Sequence, residues 1–209
     1  MSSEQPSILD TVVLLYFLLV GQEALLTRLL GEPLRVPLAV YDPEERSLPP
    51  EALRHSDLLS EMRQAIRHYE VAARADPESS ELLARLRLVD SMHEQGKLEV
   101  VDLSADERIL AARLQSRREA ADFGLRVPLG PGEAACVAVA FARGWTVATD
   151  DNAALTALRT LSGPDYPYER IRKLLVRAVD EGLITRAEAR EIHDQMRRLG
   201  FWDSTHLFA

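Results

Sequence analysis

The stretch Ser7–Gly21, SILDTVVLLYFLLVG, sets one carboxylate, Asp10, in front of nine uninterrupted apolar residues, Val12 to Val20. The apolar run is too long for one short strand and about half of the roughly 20 residues that a membrane span requires. Positions 1–10 carry Glu4 and Asp10 but no Lys or Arg, so the basic flank of a secretory signal is missing. The reading that fits is a very short buried strand at Ile8-Leu9, an Asp-Thr junction, and a buried helix that Asp10 or Thr11 caps. Taken alone, Asp10 is more simply a helix cap than a functional acid.

Working outward, the same alternation repeats. Residues 22–30 read as an amphipathic helix stopped by Gly31, and Leu34-Arg35-Val36 before Pro37 as a second strand. The segment 37–50 reads as a short helix or turn ending in prolines. Polar helical stretches follow over 51–75 and 78–95, the latter with clear helical spacing up to Gly96. Residues 97–103, KLEVVDL, form a third strand, and Ser104 to Glu107 has the pattern of a capping box opening a helix through about Arg118. Residues 133–145 read as a small-residue helix. WTVATDD, residues 145–151, is the best strand in the chain, and a helix follows from Asn152 to Thr160. After a turn-rich link at 161–168, two helices span 169–182 and 185–199, and an aromatic tail (Phe201, Trp202, Phe208) docks on the body. Short strands alternating with helices indicate an α/β protein with a parallel sheet covered by helices.

Composition narrows the classes. The 209 residues carry 25 Lys and Arg against 33 Asp and Glu, a formal net charge of −8, and 46% are hydrophobic. That is enough for a core and disfavours a simple basic nucleic-acid clamp. The single cysteine, Cys136, rules out an internal disulfide and agrees with a cytoplasmic setting. One cysteine and five scattered histidines give no zinc spacing, no histidine pairs with a nucleophile, and there is no phosphate-binding glycine loop. A haloacid-dehalogenase-like phosphatase would need a second Asp two positions after Asp10, where Val12 stands.

In a parallel sheet, chemistry sits beyond the carboxyl ends of the strands. Asp10 falls at the end of the first strand, Asp150 and Asp151 at the end of WTVAT, and Glu133 at the start of the buried helix just before that strand. Asp42, Glu44 and Glu45 follow the second strand by one turn. Each has a plain alternative as cap, turn or solvated surface. Together they direct acids to one rim, where like charges raise one another's pKa or recruit a cation. Hard divalent ions, Mg²⁺ or Mn²⁺, are the ones that oxygen ligands suit.

Three stretches carry a resemblance. Asp10-Thr11 after the first strand, Gly130-x-Gly132-Glu133 entering a small-residue helix, and Thr149-Asp150-Asp151 after the next strand resemble the PIN domain, the fold of VapC-type toxin ribonucleases. The C-terminal stretch 170–201 is similar, less specifically, to the extra helices of a PIN subfamily. The resemblance implies a three-layer α/β/α domain over 1–163 with a helical insert at about 46–95, and a helical extension over 164–209 packed on it. It implies a Mg²⁺- or Mn²⁺-dependent ribonuclease with Asp10, Glu133 and Asp151 as catalytic acids and Asp10, Glu44, Glu133, Asp150 and Asp151 around the metal. Thr149 or Thr11 would orient a water or a carboxylate. It also implies an RNA substrate, a small antitoxin protein as partner if the chain is a toxin, and a homodimer; the shortness of the apolar run speaks separately for no membrane association. The chain departs from the pattern after the second strand, where Glu44 is the preferred match and Asp42 and Glu45 stay open. A catalytically inactive PIN-like module binding a protein or RNA is the alternative. Arg63, Arg67, Arg117, Arg118 and Arg159 are candidate RNA contacts.

Overall fold

The computed structural model describes residues 5–48, 59–203, 205, 207 and 208. Residues 51–58, read from sequence as the start of a long polar helix, lie outside the described residues. The chain is a mixed α/β protein, as the alternating pattern predicts. Strand β1 is Ser7–Leu9, followed at once by helix α1, Thr11–Leu19, and then α2, Glu23–Leu30. Strand β2, Leu34–Pro37, leads into a 3₁₀ turn at Pro43–Ser47. Helices α3 (Glu61–Ala72), α4 (Pro77–Leu86) and α5 (Leu88–Glu94) precede β3, Leu98–Val101. Then come α6 (Ala105–Leu114), α7 (Pro131–Arg143), β4 (Thr146–Ala148) and α8 (Asn152–Ser162). The chain closes with β5 (Tyr168–Glu169), α9 (Ile171–Asp180) and α10 (Arg186–Arg198).

All the ladders are parallel. One runs β1-β4-β5, with Ile8 opposite Val147 and Val147 opposite Tyr168; the other pairs β2 with β3, Leu34 opposite Leu98. β2 packs alongside β1, so the two ladders abut. Parallel pairing places the carboxyl ends of β1 and β4 at one rim, and two further bonds extend the ladder there. Asp10 N–H donates to the Ala148 carbonyl (3.0 Å), and Thr149 N–H donates to the Glu169 carbonyl (3.0 Å).

Helix α1 is apolar on nearly every side, as the opening run requires of a helix buried among others. Val13, Leu14, Phe17 and Leu18 are wholly buried, each worth about 1.5–3 kcal/mol of transfer free energy. Helix α7 uses Ala134, Ala135, Cys136, Ala138 and Ala140 to lie close against β1, and the Cys136 thiol reaches the Leu9 carbonyl at 3.2 Å. The capping boxes at Ser104–Glu107 and Thr185–Glu188 are formed. The tail docks: Phe201 is buried, its ring 5.1 Å from that of Tyr16 on α1.

Two readings need correction. The single helix expected over 78–95 is broken at Arg87, which ends α4 and starts α5. The link at 161–168 is not all turn, because Tyr168 and Glu169 form β5, held by the β4 edge. No helix among the described residues is long and apolar enough to cross a membrane.

Candidate functional site

Asp10 is 3% exposed at the β1–α1 corner. Its Oδ1 accepts from Thr11 N–H at 2.7 Å and its Oδ2 from the Thr149 hydroxyl at 2.7 Å. It is therefore the cap of α1, as the plain reading has it, and it also faces the end of β4. Burial pushes its pKa up to about 7, Thr149 opposes that shift, and the carboxylates of Glu133 and Glu61 add to it.

Thr149 is fully buried and links two acids. Its hydroxyl oxygen accepts from Asp151 N–H at 3.1 Å while donating to Asp10. Asp151 caps α8, accepting from Ala154 N–H at 2.7 Å. Glu133, in the first turn of α7, reaches back to Gly130 N–H at 2.7 Å. Its pKa is raised, first by burial, then by the charges of Asp151 and Glu61.

Glu61 is the member that reading the sequence missed. It opens α3, and that helix start is tied to the turn after β2: Glu61 N–H donates to the Ala39 carbonyl (3.0 Å) and Met62 N–H to that of Val40 (2.9 Å). Its side chain accepts from Gly132 N–H at 2.9 Å and from the Thr11 hydroxyl. A Cβ at Gly132 would fall within 2.7 Å of all three atoms of the Glu61 carboxylate, so only glycine admits this approach. The available signal was Ser60-Glu61, a cap residue and a first-turn acid opening an amphipathic helix.

The structure thus brings Asp10, Glu133 and Asp151 into one neighbourhood with Glu61, each within the electrostatic reach of at least one other. Glu44 is exposed on the 3₁₀ turn, with its N–H held by Asp42 at 2.9 Å, and exerts no pull on Asp10 or Glu133 like that of Glu61. Pro43 and the two acids make a good turn start, and that is the use the chain makes of them. Glu45 is half-buried and engaged by its neighbour Ser60. It accepts from Ser60 N–H (2.8 and 3.1 Å) and from the Ser60 hydroxyl (2.6 Å), fixing the start of α3 beside Glu61. Asp150 is 1% exposed and accepts from Ile171 N–H at 2.9 Å at the start of α9; burial raises its pKa to about 6. Arg63 is no free cation for RNA, because it is buried and pairs with Asp90 at 2.9 Å, which Tyr41 also contacts.

Asp10, Glu61, Glu133 and Asp151 are not in ion pairs with any Lys or Arg among the described residues. The donor set is four carboxylates and two threonine hydroxyls, all hard oxygen, which fits Mg²⁺ or Mn²⁺ and not a soft metal. In their present rotamers Glu61 and Glu133 are turned to backbone N–H groups. Among the described residues no group of three or more His, Cys, Asp or Glu side chains stands in position to hold an ion. Compared with protein-family models, with curated proteins and with solved structures, the chain matches none.

Proposed function

We propose that the chain is a PIN-type ribonuclease that hydrolyses RNA phosphodiester bonds with Mg²⁺ or Mn²⁺. The observation that carries this reading is the convergence of Asp10, Glu61, Glu133 and Asp151 on one rim with no cation paired to them among the described residues. Like charges partly withdrawn from water are costly, and a divalent ion is the simplest species that cancels the cost. The three motifs behind the resemblance also stand in the expected contexts: Asp10-Thr11 after β1, Gly130–Glu133 entering α7, and Thr149–Asp151 after β4.

Asp10, Glu61, Glu133 and Asp151 would hold the ion. When bound, it supplies positive charge against which a phosphate oxygen and an attacking water are polarised. Thr149 keeps Asp10 in one rotamer and Asp151 at a fixed distance from it. The glycines at 130 and 132 let two carboxylates lie against the α7 start. Cleavage of the kind the resemblance implies leaves a 5′-phosphate and a 3′-hydroxyl. On the same resemblance the partners are a small antitoxin and a second copy of the chain, in the cytoplasm.

A second reading, a PIN-like module that binds without cutting, is favoured by the engagement of Glu61 and Glu133 with backbone amides. One experiment separates the two. Mn²⁺ is titrated against thermal stability and against cleavage of a single-stranded RNA, for the parent, Asp10→Asn and Asp151→Asn. The ribonuclease raises Tm with Mn²⁺ and cuts, and both variants lose cutting. A parent with no Mn²⁺ response, or equal cutting by all three proteins, rejects the ribonuclease.

A further inference from the structure

Tyr168, in the edge strand β5, has three cations gathered about its ring. Lys173 Nζ stands 4.1 Å from the ring centroid, and the guanidinium carbons of Arg159 and Arg170 stand 5.5 and 6.0 Å away. Arg159 comes from the last turn of α8, Arg170 is the cap of α9, and Lys173 stands in the first turn of α9. Lys173 also donates to the Tyr168 carbonyl at 2.9 Å, and Arg170 donates to Asn152 Oδ1 at 2.5 Å. None of the three is in an ion pair among the described residues. In a chain of net charge −8, three such cations on one aromatic ring make a local reversal of sign.

The position of this cluster gives the reversal a use. Asn152, which Arg170 contacts, directly follows Asp151. β5 runs parallel to β4, so its carboxyl end shares the rim of the acidic site. Arg159 lies seven residues along α8 from Asn152, about 10 Å down the helix axis. The basic surface therefore begins beside the acids and leads away from them. We propose that Tyr168, Arg159, Arg170 and Lys173 seat the sugar-phosphate backbone of the RNA strand next to the bond that is cut, an inference that rests on the ribonuclease reading. The ligand is backbone and not base. Cations already occupy the surroundings of the ring, so Tyr168 arrays positive charge and is not an open stacking platform. Phosphate binding of this kind carries no sequence preference and releases counterions, so it weakens steeply with salt.

The test is fluorescence anisotropy of a short fluorescein-labelled oligouridylate in EDTA across a salt series. The parent is compared with Arg159→Glu/Lys173→Glu and with Arg186→Glu/Arg190→Glu. The second pair makes the same charge change around the Phe208 ring, on α10, which carries none of the acids. We expect the first pair to weaken binding at least tenfold and to flatten the plot of log K against log salt by roughly 1.4, about 0.7 for each phosphate no longer neutralised on a single strand. The second pair stays within about twofold of the parent. Tyr168→Phe keeps binding and Tyr168→Ala weakens it. Circular dichroism checks folding, and Arg159→Ala replaces the first pair if that pair does not fold. Equal losses in both pairs, no loss in the first, or no binding by the parent overturns the proposal. The Mn²⁺ effect on Tm is read alongside. If it persists while the first pair binds RNA normally, only the backbone seat falls. If it is absent while binding still depends on that pair, the ribonuclease reading falls, and with it the seat beside a cut bond, leaving a surface that binds RNA without cutting.

Discussion

The Thr149 hydroxyl donates to Asp10 Oδ2 at 2.7 Å across the parallel β1–β4 pair, joining residues 139 positions apart in the chain. The same oxygen takes the Asp151 amide at 3.1 Å, so one buried hydroxyl sets the distance between two acids of the site. Thr149→Val keeps the shape and removes both bonds, leaving a buried carboxyl short of a donor. We expect a loss of about 1–3 kcal/mol in urea unfolding, together with a weaker Mn²⁺ effect on Tm. Thr149→Ser restores most of both. An unchanged Mn²⁺ effect in Thr149→Val would mean that the hydroxyl has no part in arranging the acids.

The pH dependence follows from Asp10. In the folded protein its pKa stands near 7 against 3.8 for the free side chain, chiefly because it is buried. A carboxyl raised on folding favours the folded state while it is protonated. Its contribution is complete below about pH 4 and is lost as pH rises through 7. The loss amounts to as much as roughly 4 kcal/mol. In EDTA Asp10 therefore costs the parent stability from pH 4 to 7; Glu133 and Asp150, also raised, act in the same sense, and His193, lowered by burial, acts against them. The difference between the parent and Asp10→Asn isolates Asp10, so Asp10→Asn should gain on the parent steadily over that interval. Parallel stability curves for the two proteins would contradict the burial argument.

Gly132 offers a test in which stability and site separate. Alanine suits the first turn of a helix better than glycine by up to about 1 kcal/mol, but its Cβ collides with the Glu61 carboxylate. Glu61 is a flexible side chain and swings aside, giving up the Gly132 N–H. Gly132→Ala should thus fold with Tm unchanged or raised in EDTA and lose most of the Mn²⁺ increment. A variant that keeps the whole increment would place Glu61 outside the metal site.

Asp150 and Asp151 are neighbours with different predicted fates. Asp150 receives Ile171 N–H at the start of α9, whereas Asp151 is one of the acids acting on Glu133. Asp150→Ala leaves a buried amide unpaired and should cost about 1–3 kcal/mol in chemical unfolding while keeping the Mn²⁺ increment. Asp151→Ala should do the opposite in proportion, giving up the increment and the cap on α8 at a cost near 1 kcal/mol.

Much of this arrangement was legible because its signals are local. Asp10, Glu133 and Asp151 each sit beside a strand end or helix start that a few residues of sequence define, and the order of strands brings them to one rim. Glu61 was not legible in the same way. It follows β2 by more than twenty residues, and the chain returns to the end of β2 only through bonds from the α3 start to Ala39 and Val40. Asp42, Glu44 and Glu45 lie nearer in sequence and drew the assignment, yet they form a 3₁₀ turn and its brace. β5 escaped notice because two residues carry no periodicity, and only the β4 edge makes them a strand. The direction of Asp150 depends on α9 docking against it, which no spacing along the chain encodes.

The brace allows the site to be tested from outside its acids. Glu45 holds Ser60 by hydrogen bonds to its amide and its hydroxyl, and Ser60 is the cap of the helix that carries Glu61. Glu45→Ala removes one of the ties on that helix start, so, if Glu61 holds an ion as proposed, ordering it would cost binding free energy. We expect a cost of about 0.5–2 kcal/mol, that of a missing helix cap, and a several-fold weaker Mn²⁺ midpoint. Glu45→Gln retains one acceptor oxygen and should recover part of the midpoint. Ser60→Ala, which removes the hydroxyl and leaves the amide bonded, should fall between the two. If Glu45→Ala lowers stability while its Mn²⁺ midpoint equals the parent's, the brace serves the fold alone, and the placement of Glu61 depends on its own bonds to Gly132 and Thr11.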